Sequence, residues 1–361
     1  MTGPRHGIGA ATRQRLSLVK SAIDASGGVV RRALRIDILD DACEREAARQ
    51  LALRIVAMTP PAAVVIGHPC ASAAITAAPI YQQAGILFLA AGMRHPLLSE
   101  KRAGPLVFRA AGRDDRQGGD AGRRLRALAG DSGTSLIIHD RTVLTRSLAK
   151  TARDTAAYGS QPPPTELTIV AGEIDYTKTI DEIASRAPAA ILFLGFPSEA
   201  AIILRQLRAR GNQVPFVVND AMASAEFIEH AGELLETHVE VMMPVSITSD
   251  ILAEAESPDA LAASDIATAL SIWQDAVTAT AGTDAAQIAQ RLSAPRRDLE
   301  EIGFDSAGDA LVPSFAPFRR RDGAWQRADL ATYGTSGAPS PAHVHPAASQ
   351  PQRQSTGSSP P

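Results

Sequence analysis

The sequence predicts an α/β protein made of two doubly wound parallel-sheet lobes joined by a hinge. Three observations predict this class. Apolar runs of strand length alternate with longer stretches of helical period. The strand runs are continuous in Val, Ile and Leu, as in parallel sheets that are covered on both faces. Finally, 361 residues with 45% hydrophobic content carry more strand–helix units than one such sheet accommodates.

The elements of the first lobe come first in the chain. We expect strands at 33–39, 62–67, 86–90 and 106–111, with helices at 44–58 and 72–84. The stretch "AGRDD" near 112–114 breaks this pattern, so we place a crossing to the second lobe there.

The elements of the second lobe follow the same rhythm. We expect strands at 135–139, 167–170, 189–195, 214–219 and 239–244, with helices at 116–129, 142–157, 176–186, 197–210 and 224–230. After a second crossing near 245–250 we expect helices at 265–281 and 285–293 and a last strand pair within 311–327. The Pro/Ser/Gly-rich tail at 331–361 has no apolar periodicity, which predicts disorder.

Charge and composition exclude several classes of protein. A net charge of -3 gives no basic field for nucleic acid or for an anionic membrane surface. No apolar stretch reaches the roughly 18 to 20 residues that a spanning helix needs. The first 24 residues lack the apolar core of a secretory signal, so the chain as written has a cytoplasmic start.

Catalytic and metal-binding motifs are weak. Cys43 and Cys70 stand outside any CxxC motif, and the chain has no HExxH, GxSxG or P-loop motif. "GIGAA" at 7–11 follows no strand and lacks the third glycine of a dinucleotide loop. The histidines near strand ends favour packing or capping over catalysis, and those in the tail favour no metal site: His68, His95 and His139, and His343 and His345. We therefore expect no enzyme, no cofactor and no metal.

The two cysteines leave the compartment open. Two reduced thiols are ordinary in an intracellular protein, and a count of two does not by itself make a disulfide framework.

The predicted strand ends indicate a binding site. Small and polar residues follow the strands in "GHPCAS", "AAGMRHP", "HDRTVL", "GFPSE" and "VVNDAM". Ligands of open α/β sheets bind outside the carboxyl ends of the strands, where helix amino ends supply free N–H groups. Two lobes that face each other in this way can close on a small molecule by bending at a hinge.

Several segments in the same order resemble the leucine/isoleucine/valine-binding protein family. They are "DDAC" (40–43), "VIGHPCASAA" (65–74), "YQQAGILFLAAGMRHPLL" (81–98), "IIHD" (137–140), "LGFPSEAAIILRQLRARG" (194–211) and "PFVVND". The resemblance runs from Met1 to about residue 330. It implies the type I periplasmic binding protein fold, with lobe 1 at 1–112 and 247–305 and lobe 2 at 113–246 and 306–330.

The resemblance also implies a compartment and a partner. Members of this family carry a disulfide that matches Cys43 and Cys70, which implies an oxidising periplasm. They are the receptors of ABC transporters and deliver amino acids to membrane permease subunits.

The ligand-binding residues that the resemblance implies lie in both lobes. In lobe 1 they are Ala71 and Ser72, then Gly92, Met93 and Arg94, which hold the ligand carboxylate. Arg94 stands where the family has a threonine, and its planar guanidinium can bind a carboxylate through two hydrogen bonds; pairing with a nearby acid is the alternative. In lobe 2 they are Asp220 for the ligand ammonium, Phe196 as an apolar wall, and Leu144 in place of a tyrosine.

The chain also departs from the family at its start. Family members begin with an interior strand of lobe 1, and Met1 coincides with the loop that follows this strand. We expect this first strand to be missing from lobe 1, which leaves neighbouring backbone groups unpaired, and we expect the true gene start to lie upstream. A cytoplasmic location follows if Met1 is the true start.

Three functions remain open. The first is a receptor for an amino acid, branched-chain or otherwise hydrophobic, or for a related small carboxylate. The second is a two-lobe ligand sensor that regulates a partner protein, as related amide sensors do. The third is an enzyme, for which the sequence supplies no nucleophile, base and orienting group.

Overall fold

The computed structural model describes residues 6–130, 133–157, 162–246, 258–295 and 302–328. The predicted tail at 331–361, with His343 and His345, lies outside these residues.

The helices and strands alternate as the sequence predicts. The helices are α1 (His6–Ala25), α2 (Arg45–Val56), α3 (Ala71–Gln83), α4 (Leu97–Glu100), α5 (Gln117–Ala129), α6 (Val143–Ala156), α7 (Thr177–Arg186), α8 (Pro197–Ala209), α9 (Ala225–Ala231), α10 (Pro258–Thr280) and α11 (Ala285–Leu292). The strands are β1 (Val64–Gly67), β2 (Leu87–Ala91), β3 (Val107–Ala110), β4 (Ser135–His139), β5 (Thr165–Thr168), β6 (Ala190–Leu194), β7 (Phe216–Val218), β8 (Val239–Pro244), β9 (Phe315–Arg321) and β10 (Ala324–Arg327).

These strands form two sheets. The first sheet has the order β1-β2-β3 and is parallel throughout. The second sheet has the order β10-β9-β8-β7-β6-β4-β5. Its strands β4 to β8 are parallel neighbours, and β9 and β10 are added antiparallel at one edge. The predicted α/β class with two mainly parallel sheets is confirmed.

The first sheet and the helices packed on it form what we call the first lobe. Alternate residues of β2 point to opposite faces, as the pleat of a strand requires. Phe88 lies in the same core as Leu51 of α2 and residues of α3, whereas Leu89 lies in the core that includes Trp273 of α10. Phe304 and Ala310 belong to the same core as Trp273, so residues 304–310 lie with this lobe.

The second sheet and its helices form the second lobe. Ile138 and Phe193 face a core that includes residues of α7, α8 and α9. Their neighbours Ile137 and Leu192 face the opposite core, beneath α5 and α6. Both faces are thus apolar, which explains the continuous apolar runs that predicted these strands.

The predicted strand at 33–39 is wrong, because none of its residues lies in a strand or a helix. A strand requires a hydrogen-bonded neighbour. Within the described residues, β1 at the edge of the first sheet pairs only with β2. Leu34 and Ile36 still pack against the first-lobe core, so their apolar pattern reflects burial and not strand pairing.

Helix α1 was not predicted from the sequence. It packs on α10 of the first lobe and buries Ile8, Leu16 and Ile23. Long polar and small-residue stretches separate these positions, which weakens the helical signal. None of the described helices is both long and apolar enough to cross a membrane.

Within the described residues, the chain passes between the two lobes through three short stretches, which we call the crossing segments. They are residues 111–114 after β3, residues 245–246 after β8, and residues 311–314 before β9. The rest of the second predicted crossing lies outside the described residues. The lobe boundaries given above remain a prediction.

Candidate functional site

The predicted ligand-binding residues lie at the carboxyl edges of the two sheets. In the first lobe, Gly67 of β1 pairs with Ala90 of β2, so the turns after these two strands are neighbours. In the second lobe, β6 lies between β4 and β7, with the register His139↔Leu194 and Phe193↔Val218. The residues that follow these strands therefore share one edge in each lobe, as expected for an open α/β sheet.

A disulfide holds the first turn of this site. Cys43 and Cys70 are bonded, with their Cα atoms 5.4 Å apart. Cys70 is also the residue before α3, and it makes no side-chain cap on that helix. The bond therefore fixes the start of α3 to the loop around residue 43.

Ala71 and Ser72 form the first turn of α3. The Ser72 hydroxyl is exposed and donates a long hydrogen bond of 3.4 Å to the Cys43 carbonyl. Since the Cys70 side chain does not cap this turn, the backbone amides there can donate hydrogen bonds to the oxygens of an anion at the positive end of the helix. The geometry suits a ligand carboxylate.

Gly92 and Met93 form the second turn of the first-lobe site. Gly92 has a left-handed φ of 75°, and a Cβ there would lie 2.8 Å from the Cβ of Ala262 on α10. Both features require glycine. The Met93 side chain is buried and lies 3.8 Å, sulfur to Nη1, from Arg109. Met93 can therefore offer only its backbone to a ligand.

Arg94 points its guanidinium at the crossing segments. Nε donates to the Asp114 carboxylate at 2.9 Å, Nη1 to the Val245 carbonyl at 3.1 Å and Nη2 to the Ser314 carbonyl at 2.6 Å. The guanidinium carbon also lies 5.3 Å from the centroid of the Phe315 ring. The sequence left two roles open for Arg94, binding of a ligand carboxylate or pairing with a nearby acid. In this structure Arg94 pairs with a nearby acid, Asp114.

The second lobe presents apolar side chains at its edge. Phe196 precedes α8 and is 51% exposed, and Leu144 in the first turn of α6 is 64% exposed. Val143 beside it is exposed as well. Exposed apolar side chains on neighbouring strand ends are typical of the wall of a pocket for an apolar ligand group.

Asp220 lies at the same edge, in a 3₁₀ turn that follows β7. Its carboxylate is exposed and makes no hydrogen bond or ion pair with any other residue in the part of the chain that the structure describes. An unpaired carboxylate at this position can receive a ligand cation.

Asp140 is a candidate that the sequence reasoning missed. It follows β4, and its Oδ1 accepts hydrogen bonds from the Thr142 amide at 2.9 Å and the Thr145 hydroxyl at 2.6 Å. Its Oδ2 is buried and has no hydrogen-bond partner among the residues that the structure describes. A Cβ on Gly195 would lie 3.8 Å from this oxygen, which places it beside the turn that carries Phe196. The "HD" pair in the sequence was the available signal.

The histidines near strand ends make structural hydrogen bonds. The His68 ring lies between the side chains of Asp41 and Tyr81 and is within hydrogen-bond distance of both. The other two rings each accept a hydrogen bond at Nδ1 from the backbone amide two residues later in the chain, at His95 and at His139. Within the described ranges, no group of three His, Cys, Asp or Glu residues is arranged to hold a metal ion.

Comparison with known proteins gives a consistent result. A family model described as "Periplasmic binding protein" matches residues 1–294. The Leu/Ile/Val-binding protein homolog 1 of Brucella suis is 25% identical over 336 residues, which is 90% of this chain and 89% of that protein.

A second curated relative matches a shorter region. The amino acid binding protein of Pseudomonas aeruginosa is 28% identical over 236 residues, or 64% of this chain. The match spans 62% of that relative's length.

Among solved structures, a proposed branched-chain amino acid ABC transporter protein from Rhodospirillum rubrum superimposes with a TM-score of 0.70. It is 22% identical, and the match covers 91% of this chain and 97% of that one. At this identity the similarity shows the fold, which is the type I periplasmic binding protein fold.

Proposed function

The chain belongs to the periplasmic binding protein family, and we propose that it is the solute receptor of an ABC transporter. Its ligand is an amino acid with a branched or otherwise apolar side chain, or a related small carboxylate. The ligand binds between the two lobes, which close on it by rotation at the crossing segments. No chemical step is involved.

One observation carries this proposal. The carboxyl edge of the first sheet offers a helix amino end without a side-chain cap, whereas the edge of the second sheet offers the unpaired Asp220 carboxylate and exposed apolar side chains. These features complement the three parts of an apolar amino acid, which are its carboxylate, its ammonium and its side chain.

In the first lobe we assign the ligand carboxylate to the Ser72 hydroxyl and to the backbone amides at Ala71, Ser72, Gly92 and Met93. The uncapped start of α3 supports this assignment. Arg94 contributes its backbone amide to the same turn. Its guanidinium donates to the crossing segments, so in this conformation it is not directed at a carboxylate.

In the second lobe we assign the ligand ammonium to Asp220 and the ligand side chain to Phe196 and Leu144. The exposure of all three side chains supports this assignment. Leu144 has no hydroxyl, so the pocket around the ligand side chain offers one fewer hydrogen-bonding group than a tyrosine would, which favours apolar ligands.

We propose that the protein works in the periplasm and delivers its ligand to permease subunits. The Cys43–Cys70 disulfide supports this location, because such bonds persist in oxidising compartments and are rare in the cytosol. The names of two relatives support the ligand class: the Brucella suis protein is named Leu/Ile/Val-binding protein homolog 1, and the Pseudomonas aeruginosa protein is named amino acid binding protein.

Titration calorimetry tests the proposal directly. The panel contains leucine, isoleucine, valine, phenylalanine, glutamate, lysine and benzoate. We expect heat from at least one apolar member, and a large loss of amino acid affinity in Asp220→Asn with little loss for benzoate. Asp322→Asn is the matched control, because Asp322 is an exposed aspartate at the β9–β10 turn. No measurable binding to any member of the panel would contradict the proposal.

A further inference from the structure

We infer that Arg94 is a positioning residue that couples the ligand-binding turn of the first lobe to the three crossing segments. Its effect on binding depends on the proposed receptor function, but its effect on lobe movement does not. The inference concerns the relative orientation of the lobes, since the Arg94 guanidinium acts through the crossing segments and not through contact with the ligand.

The contacts of the guanidinium reach every crossing segment. Asp114 lies in the first, Val245 in the second and Ser314 in the third, and each accepts a hydrogen bond from a different nitrogen of Arg94. The Arg94 carbonyl also accepts a hydrogen bond of 3.1 Å from the Asp114 amide. Only 15% of the Arg94 side chain is exposed, so these charge-assisted hydrogen bonds are partly shielded from water.

The third crossing segment is held from both lobes. The Ser314 carbonyl accepts from Arg94 of the first lobe and from the Val245 amide. The amides of Ser314 and Phe315 donate to Oδ2 of Asp120, at 3.0 and 2.9 Å. Asp120 lies in the first turn of α5 in the second lobe. Rotation of one lobe against the other must therefore change the backbone between Arg94 and Asp120 or break one of these contacts.

Gly112 in the first crossing segment provides the space for the guanidinium. A Cβ on this residue would lie 2.8 and 2.9 Å from the two terminal nitrogens of Arg94, and 2.9 Å from the Cα of Ser314. These distances are too short for any real Cβ contact, so only glycine leaves the guanidinium in place. Gly112→Ala should therefore displace Arg94 while keeping its charge, and it also presses on the Ser314 backbone in the third crossing segment.

The position of Arg94 in the chain links the ligand-binding turn to the crossing segments. Gly92 and Met93 immediately precede it in the turn that we assign to the ligand carboxylate. A ligand that orders this turn also orders the backbone of Arg94, and through its side chain the three crossing segments. The hydrogen bonds of Arg94 to the crossing segments therefore determine the fraction of ligand-free molecules whose lobes already have the orientation that binds ligand.

Electron–electron distance measurements between two spin labels test the inference without any ligand. The labels are attached at Gln83→Cys on α3 and Glu229→Cys on α9, which are exposed positions in different lobes. We expect the distribution of distances to broaden in Arg94→Ala and in Gly112→Ala. An unchanged distribution in Arg94→Ala would overturn the inference, even if Gly112→Ala broadened it.

Arg102→Ala is the matched control. Like Arg94, Arg102 donates three hydrogen bonds and lies over an aromatic ring, Phe108. Its acceptors are the backbone carbonyls of Val107, Pro105 and Ser306, whereas Arg94 donates to two carbonyls and the Asp114 carboxylate. All these partners lie with the first lobe. We expect Arg102→Ala to lower the stability of the protein and to leave the distance distribution unchanged.

Calorimetry separates positioning from direct ligand contact. If the proposed receptor function holds, Arg94→Ala should weaken the binding of an amino acid and of its carboxamide by the same factor, on the order of three- to tenfold. Selective loss of the free acid would instead assign the guanidinium to the ligand carboxylate and overturn the inference. If the wild-type protein bound no ligand, the proposed function would fail, while the spin-label experiment would still decide the role of Arg94.

Discussion

The ring of His68 lies 2.7 Å, Nδ1 to Oδ2, from the carboxylate of Asp41. Because an ionised carboxylate only accepts hydrogen bonds, His68 Nδ1–H is the donor. Nε2 of the same ring lies 2.9 Å from the Tyr81 hydroxyl. All three side chains are buried. This chain of hydrogen bonds joins the end of β1 to the loop before α2, next to the Cys43–Cys70 disulfide.

Removal of the disulfide should lower stability and leave ligand binding largely intact. The double variant Cys43→Ser, Cys70→Ser opens a loop with a sequence separation of 27 residues. We expect the free energy of unfolding to fall by about 3 to 4 kcal/mol in the chain-entropy estimate. The Asp41–His68 hydrogen bond still holds the loop next to α3. Urea denaturation and calorimetry measure the two effects.

Reduced wild-type protein serves as the control for the serine substitutions and should behave in the same way. A loss of ligand affinity as large as the loss of stability would mean that the disulfide alone holds the start of α3.

Asp41 should make stability dependent on acidic pH. Burial raises the pKa of its carboxyl, but the hydrogen bonds from His68 and the Cys43 amide outweigh burial, so the pKa lies below the ordinary value of 3.8. A carboxyl with a lowered pKa stabilises the folded protein at pH values above its pKa in the unfolded chain. This stabilisation is lost as the pH falls through its pKa in the folded protein.

The measurement is the difference in unfolding free energy between the wild type and Asp41→Asn. We expect the difference at pH 5 to become smaller as the pH falls below about 3.8. A difference that did not shrink at any acidic pH at which the wild type stays folded would argue against a stabilising ionised Asp41.

Asp309→Asn should be strongly destabilising. Asp309 accepts from Nε of Arg109 at 2.7 Å and from Arg113 at 2.9 Å, and the Arg109 side chain is fully buried. The substitution leaves a buried guanidinium without its counter-charge, which costs about 3 to 5 kcal/mol in comparable sites. Asp115→Asn is the control, because its pair with Arg113 is partly exposed and should contribute less than about 1 kcal/mol. Equal losses of unfolding free energy in Asp309→Asn and Asp115→Asn would contradict this account.

Phe196→Ala should weaken the binding of apolar ligands. Burial of a phenylalanine side chain against a ligand contributes roughly 1.5 to 3 kcal/mol, so we expect on the order of a tenfold or greater loss of affinity for leucine or phenylalanine. Ile174→Ala is the control, since Ile174 is more exposed than Phe196 but follows the edge strand β5. Titration calorimetry compares the ligand affinities of the two variants. Similar losses of affinity in both would show that Phe196 does not line the pocket.

Leu144→Tyr should shift ligand preference. The added hydroxyl offers a hydrogen bond at the edge of the second lobe and reduces the apolar character of the wall. We expect polar amino acids to gain affinity relative to leucine. An unchanged order of affinities across the same panel would show that Leu144 does not face the ligand.

The sequence determined most of the secondary structure, because its signals are local. Continuous apolar runs such as "ILFLA" mark strands that are buried on both faces, and the period of the residues at 117–129 marks the helix between two of them. The same order of elements predicted two sheets and placed Ser72, Phe196 and Asp220 at the carboxyl ends of strands.

The tertiary structure decided whatever depends on partners that are distant in the chain. The segment at 33–39 has a strand-like pattern but no described neighbour to pair with, so it is not a strand. The cysteine count left free thiols open, and the proximity of Cys43 and Cys70 decided for a disulfide. Arg94 could bind a ligand carboxylate or an acid of the protein, and the three crossing segments that converge on it hold its guanidinium. Propensity and apolar period act over a few residues, whereas hydrogen bonds and ion pairs form only between groups that the complete fold brings within about 3 Å.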